Sequence, residues 1–345
     1  MPTITTEDIA DLITSTQRDL GRMKFGDIAS DLQEYVAMTQ LLKKERVEFG
    51  SGRGVQWNLV TDSNGQFRWT GLFEVDDYNI NDVTKTANLP WRHCNVNYSI
   101  EDREVVMNGE GPNRVVELVK IRRFAAMLDM AKGWENAFWS KPATSSDVTT
   151  LYGIDMPIVK NATEGFNGGN PSGFTSGYAG VSSSTYTRWA NYTAQYVTID
   201  RTDCIDKWKR ATRKCNFKPP VEVPEYGSKG QRFGFYTNDD VISTLDRLLE
   251  DQNENLGNDL YSKEGSLMFK RVPVVWVPKL DSDTQDPIYG INWNKLKFCF
   301  LKGEYMNEHK PRMAPNQHRT HVVDIDCSAQ AVAYDRRSQF ILNIA

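Results

Sequence analysis

Gly111 to Pro142, GPNRVVELVKIRRFAAMLDMAKGWENAFWSKP, is the stretch that most constrains the fold. Pro112 suits a first helical position, where its missing N–H is no loss. Leu118, Ile121, Ala125, Leu128, Ala131, Trp134 and Phe138 recur in steps of three and four, which keeps them on one helical face. Arg114, Lys120, Arg122, Arg123, Asp129, Lys132 and Glu135 make the polar side. Lys141 precedes Pro142 and is biased away from helical angles, so the helix is expected to stop near Ser140. At 1.5 Å per residue this is a strut of about 43 Å. Its stripe holds no ligand-type side chain and reads as core. Gly133 stands inside it, although an interior glycine costs about 1 kcal/mol relative to alanine. Either a neighbouring element packs closely at Gly133, which is the preferred expectation, or the helix bends there.

The rest of the chain must cover that strut. Residues 1–48 read as helical, with Thr6 as a cap before Ile9, Leu12 and Ile13. A second helix carries Ile28, Leu32, Tyr35, Val36, Met38, Leu41 and Leu42. The period then becomes two. Val55, Trp57 and Leu59 alternate with polar neighbours, Asp62 to Gly65 reads as a turn, and Phe67 and Trp69 resume the alternation. This predicts a hairpin. Few apolar residues lie near it, so it is expected to project and to bury its aromatics on a partner surface.

Residues 94–108 read as a strand leading into the strut, and the Ser/Thr/Gly-rich run after Pro142 as a long surface loop. A helix is expected after an Asp203 cap, through Ile205, Trp208, Ala211 and Cys215, and another after Asn238 or Thr237, with Val241, Leu245, Leu248 and Leu249 inward. Strands follow at 272–277 and 295–301. Two more close the chain about a turn at Asp335–Arg337, with Phe340, Leu342 and Ile344 alternating inward.

Composition excludes several classes. With 39% hydrophobic and 25% charged residues, the 345-residue chain is globular. A net charge of −4 argues against a dedicated nucleic-acid binder, though not against a local basic face. The 5 cysteines are scattered and fit reduced thiols in a cytoplasm. The acidic start does not have the layout of a signal peptide, and no apolar run reaches the length of a membrane span. His309, His318 and His321 lie near Asp324, Asp326 and Cys327, which raises a zinc site or a Cys–His nucleophile over 309–327. The spacings match no tight signature, and no catalytic residue, metal site or cofactor is expected. Residues 201–218 concentrate Arg201, Lys207, Lys209, Arg210, Arg213, Lys214 and Lys218, a basic helix that could meet DNA or an acidic neighbour. A solvated face is the commoner meaning of such a run.

The order of helical arm, hairpin, strand, long helix, Gly/Ser-rich stretch, mixed segment and terminal strands resembles the major capsid protein of tailed bacteriophages, an α+β chain of the HK-ninety-seven-like fold. The stretches that carry the resemblance are DREVVMN, GWENAFWSKP, YTNDDVISTLDRLLEDQNENLG, RVPVVWVPKLDSD, PIYGINWNKLKFCFLKGEYM and DRRSQFILNIA. Their order and spacing, over nearly the whole chain, make the likeness.

The resemblance implies an N-terminal arm at 1–48 and an extended loop at 49–88. A peripheral domain would span 89–148, with the long helix as its spine, followed by an axial domain at 149–311 and a return to the peripheral domain at 312–345. It implies a structural, non-enzymatic protein that self-assembles into an icosahedral shell around double-stranded DNA, made in the bacterial cytoplasm and resident in the virion. Its partners would be its own copies in pentamers and hexamers, a portal and a decoration protein, with no membrane. Trp57, Phe67 and Trp69 would be inter-subunit contacts. Some members crosslink a loop lysine to a neighbour, but 49–83 holds no lysine, the first being Lys85. Residues 1–48 leave little room for a fused scaffolding region, so a separate scaffolding protein, or none, is expected. An encapsulin-like compartment of the same fold is the alternative, and an enzyme centred on 309–327 stands behind it.

Overall fold

The computed structural model describes residues 35–61, 67–73, 83–107, 112–215, 233–250, 267–270 and 272–345. The first expected helix, and Ile28 and Leu32 of the second, lie outside them.

The strut is a helix over Pro112–Phe138 (α3). Its end is tied by Ile154, whose N–H donates to the Phe138 carbonyl at 2.6 Å. That approach requires Gly153, because a Cβ there would lie 2.3 Å from the Phe138 oxygen and 2.1 Å from that of Ser140. The buried stripe is Val119, Ala126, Met130, Ala131, Trp134, Phe138 and Trp139. From Ala131 onward it agrees with the sequence pattern. Before that it is rotated. Ile121 is 66% exposed, Phe124 52%, and Ala125 is exposed too. The helix carries two apolar strips at this end, and the subunit covers one. Gly133 is also exposed, and a Cβ there would meet nothing within 4 Å. Close packing within the subunit is therefore not its reason.

Strand β1 (Val47–Gly50) follows a short helix, α1 (Val36–Leu41). Next come β2 (Gly54–Val60) and β3 (Thr84–Pro90), which pair antiparallel with Trp57 opposite Ala87. The hairpin thus closes on 84–90, not on Phe67 and Trp69, which lie in no strand; the expected turn at 62–65 is outside the described residues. Ala87 and Leu89 are buried in the main core, with Val55, Trp57 and Leu59 packed against it. Small Ala87 hid the alternation of the true partner strand. The ribbon base lies on the subunit rather than projecting from it.

Strand β4 (Arg92–Glu101) runs into a short helix, α2 (Asp102–Met107), where an unbroken strand was expected. Asp102 and Glu104 in the first turn favour the positive helix end. The Glu101 N–H also donates to Glu104 at 3.5 Å.

The remaining strands are β5 (Gly165–Gly168), β6 (Asn191–Tyr196), β7 (Phe233–Thr237), β8 (Met268–Phe269), β9 (Val272–Trp276), β10 (Ile288–Asn292), β11 (Leu296–Leu301), β12 (Asn307–Glu308), β13 (Arg312–Ala314), β14 (Gln317–Ala333) and β15 (Phe340–Ile344). Among the described residues they form two large sheets. The 6-stranded sheet runs β1-β11-β14-β12, with β13 and β4 also on β14, and the 7-stranded sheet runs β5-β6-β15-β10-β7-β9-β8. Sheet membership cuts across the expected boundaries. β11 falls within 149–311 but pairs with β14, and β15 falls within 312–345 but pairs with β6 and β10. The end of α3 joins the two. Trp134 packs on Phe298 and Phe300 of β11, and Trp139 on Tyr236 and Tyr289 of β7 and β10. Burying each such ring is worth roughly 1.5–3 kcal/mol.

The other face of the 7-stranded sheet is covered by α4 (Cys204–Lys214) and α5 (Asp239–Glu250). Asp203 does not cap α4 with its side chain; it accepts from the N–H groups of Val197 at 2.7 Å and Thr198 at 3.2 Å. Asn238 caps α5, accepting from Val241 N–H at 3.2 Å. The Ser/Thr/Gly-rich segment is not a loose surface loop. Phe174, Tyr178, Val181 and Trp189 are buried, and the Tyr178 hydroxyl accepts from Ala333 N–H at 2.9 Å.

Glu135 was expected on the polar side of the strut, yet it is 4% exposed. Its carboxylate accepts from the N–H groups of Ala37 (3.0 Å) and Met38 (2.9 Å), and from the Trp139 indole (2.7 Å). It thereby closes the first turn of α1 against the spine. Burial raises its pKa above the ordinary 4.5, outweighing the three donors. A raised folded-state pKa means that the folded chain binds the proton more tightly. This contribution is therefore full below about 4.5 and is lost as pH rises through the folded value. Glu135→Ala should cost about 2–4 kcal/mol by urea denaturation, since it orphans three buried donors. The gap from wild type should widen as pH falls from 7 toward 5. A gap that narrows would mean that the hydrogen bonds to the ionised form outweigh burial.

Candidate assembly surface

Residues 67–73 bring together large apolar side chains that the subunit does not cover. Phe67 is 83% exposed, Trp69 89%, Leu72 93% and Phe73 100%. Phe67 and Trp69 meet edge to face at 5.6 Å. Phe73 has φ 67°, a left-handed conformation that bulky residues rarely adopt. Each aromatic offers roughly 150–250 Å², so the run exceeds the few hundred Å² at which a patch marks an interaction site. Ile121 and Phe124 on α3 add a second uncovered strip.

Trp57 differs from the other two expected contact residues. It is half-buried, packs edge-on against Tyr334 at 5.5 Å, and joins β2 to the core. Its indole N–H has no hydrogen-bond partner among the described residues. Sequence reasoning missed Leu72, Phe73, Ile121 and Phe124 as surface residues. The first two lie beyond the expected hairpin; Ile121 falls in the expected buried stripe yet is exposed, and Phe124 stands beside that stripe.

The 309–327 region does not converge on a catalytic arrangement. His309 Nε2 lies 2.8 Å from Asp326, while Arg312 pairs with Asp324 at 2.7 Å. His321 is buried with its Nε2 3.3 Å from Asp102, and His318 is exposed. The Cys327 carbonyl accepts from the Cys94 thiol at 3.2 Å across the β4–β14 pairing. Hydrogen bonding with Cys327 lowers the Cys94 pKa, and the Trp134 indole adds to this against burial. No group of three or more His, Cys, Asp or Glu suited to a metal occurs among the described residues.

The same surface carries one nearly buried ion pair. Arg123 of α3 grips Glu308 of β12 through Nε at 3.0 Å to both oxygens, with the side chains 11% and 13% exposed. It locks the spine to the edge of the 6-stranded sheet, beside the exposed strip.

No family model matches the sequence, and no curated protein matches it. Solved structures do. A capsid subunit of cyanophage A-1(L) is 18% identical and aligns over 91% of this chain and 93% of its own, with a TM-score of 0.57. The capsid subunit of a native GTA particle is 10% identical over 90% of this chain and 91% of its own, also at 0.57. The SrpI encapsulin of Synechococcus elongatus PCC 7942 aligns at 9% identity over 96% and 94%, with a TM-score of 0.49. The architecture of two sheets joined by a spine helix, with a two-stranded ribbon, is the HK-ninety-seven-like fold of tailed-phage capsid subunits.

Proposed function

We propose that this chain is a major capsid protein, which self-assembles into the icosahedral shell of a tailed bacteriophage and encloses its double-stranded DNA. The observation that carries this reading is the uncovered aromatic run at 67–73, borne by a subunit with a shell-forming fold. A ribbon tip and a spine strip with no cover in their own subunit make sense when neighbouring copies complete the burial. Contacts between two different patches repeat until the assembly closes. Residues 67–73 would lie over a neighbouring copy, and rings of five and six copies would form the vertices and faces. A separate scaffolding protein, a portal and a decoration protein are the other expected partners, and the virion the place of residence.

Negative-stain microscopy and light scattering of the full chain isolated from phage-infected cells, where a scaffolding protein is present, test this. Closed particles in the megadalton range are expected. A stable monomer over a wide concentration range would refute the reading. Analysis of particle contents separates packaged DNA from a protein cargo.

Shells of this fold are expected to expand as DNA enters, and Gly133 would let the spine bend between the precursor and the mature shell. In the subunit an alanine at 133 meets open space, so Gly133→Ala should stabilise the unassembled chain by about 1 kcal/mol. Shells should form in normal yield and expand poorly. Normal expansion would remove the bending role, and lost assembly would place a neighbouring copy against this spot.

A further inference from the structure

The hairpin tip between β8 and β9 carries a residue in an uncommon backbone conformation. Phe269 pairs with Val272, and Lys270 follows Phe269 into the turn between them. A left-handed conformation is uncommon outside glycine, asparagine and aspartate, yet Lys270 adopts φ 51°. The tip is fixed in place, because Phe269 stacks on Trp208 of α4 with ring centroids 4.2 Å apart. The Lys270 ammonium donates to the Thr212 hydroxyl, which in turn donates to the Lys209 carbonyl at 2.9 Å.

This sets Lys270 beside the cations of α4. Burial, Arg213 and Lys209 together depress the Lys270 pKa, so these charges repel one another across the site. Among the described residues, the carboxylates that pair with α4 are already used. Asp203 is bound to Lys207, Asp206 lies 3.7 Å from Lys209, and Glu164 lies 3.5 Å from Arg210. Arg213 and Lys214 are exposed, with no ion pair found for them or for Lys270 among the described residues. A chain of net charge −4 thus holds a local, preorganised positive patch on the α4 side of its 7-stranded sheet.

We propose that Lys209, Arg213, Lys214 and Lys270 form a docking surface for the phosphodiester backbone of duplex DNA, so that the α4 face of the sheet looks into the shell. The inference rests on the capsid reading for the source of the DNA. A lysine-rich patch fits this partner better than a second copy of the chain, because lysine is depleted at protein–protein interfaces. Phosphate contacts need only charge at loose spacing and carry no sequence information. The patch also offsets the repulsion that an acidic subunit would otherwise exert on enclosed DNA.

The test uses the purified full chain and a labelled mixed-sequence DNA duplex, with anisotropy measured across a salt series. The probe variant is Lys209→Gln, Arg213→Gln, Lys270→Gly; glycine relieves the positive φ at the turn. Affinity should fall at least about tenfold at low salt, and the slope of log K against log salt should shrink by about 2–3, near 0.9 per lost contact. Should the triple variant misfold, Lys270→Gly alone should reduce the slope by about 0.9. An unchanged slope, or no DNA binding by the wild type, overturns the proposal. So does a variant that binds DNA normally but loses assembly, which would assign the patch to contacts between copies. A wild type that binds DNA with the full slope yet forms no particles would refute the capsid reading while upholding this surface. In particles, Lys214 and Lys270 should be acetylated in empty shells and protected in full ones; equal modification counts against the inward orientation.

Discussion

Replacing Phe67 and Trp69 together by serine should leave a folded, soluble subunit that no longer closes into shells. Both side chains are more than four-fifths exposed, at 83% and 89%, so the subunit spends little folding energy on them. Surface changes of this kind alter stability by about 0.5 kcal/mol or less. Buried on a neighbour, each ring is worth roughly 1.5–3 kcal/mol. Losing both weakens every copy-to-copy contact by about 3–6 kcal/mol, or some two to four orders of magnitude in its equilibrium constant. Every copy makes the contact, so closure should fail outright. Sucrose-gradient sedimentation reads the loss of particles, and the urea midpoint reads the subunit. A lowered midpoint with normal particles would mean that the two rings are ordinary core. Trp57→Ser is the contrasting control. Trp57 packs on Tyr334 and the core, so its loss should destabilise the subunit itself by about 2–3 kcal/mol.

This contrast shows what could be read from the residues and what could not. Trp57, Phe67 and Trp69 look alike in sequence, each an aromatic at an alternating position. The difference is made by β3, which brings Ala87 opposite Trp57 and leaves 67–73 without a strand partner. Pairing over such a distance leaves no local trace, and the nearby turn residues suggested a shorter hairpin. The spine was legible because a 3.6-residue period persists along it and Pro112 marks its start. Its lower half was not, because apolar residues on two faces give no single stripe. Phe124 outweighs Ala125 in hydrophobicity, yet both are exposed and it is small Ala126 that turns inward. Glu135 was placed on the polar face for the same reason. Periodicity assigns charge outward, whereas α1 supplies two backbone donors and Trp139 a third. The histidines of 309–327 are close in sequence but spread along an extended chain. Strand geometry sends His321 inward to Asp102 and leaves His309 with Asp326 at the surface.

Arg336 and its neighbour Arg337 pose the same problem in one dipeptide, and Arg336→Met is expected to be the most damaging single change in the subunit. Arg336 is 0% exposed, while Arg337 is exposed and lies over the Phe166 ring. The Arg336 guanidinium donates to the carbonyls of Pro157 (2.7 Å), Trp189 (2.8 Å), Gly169 (2.8 Å) and Gly168 (3.2 Å). Among the described residues no carboxylate pairs with it. Burial lowers its pKa to about 10, which still leaves it charged at neutral pH. A buried cation held by carbonyls alone is stable only while all of them remain in place. They come from the segment before β6, and Arg336 sits in the turn where the chain passes from β14 of one sheet to β15 of the other. One planar fork therefore pins the irregular 157–191 region to the crossing between the sheets. Removing it strands four buried acceptors and should cost about 3–5 kcal/mol. Arg336→Lys keeps the charge but not the fork, and should lose more than half of that. Arg337→Met should change stability by about 0.5 kcal/mol or less. Failure should come before assembly, as insoluble or protease-sensitive chains rather than as soluble subunits, which distinguishes it from loss of the 67–73 contact. Equal effects at 336 and 337 would show that the carbonyl cradle does not hold this junction.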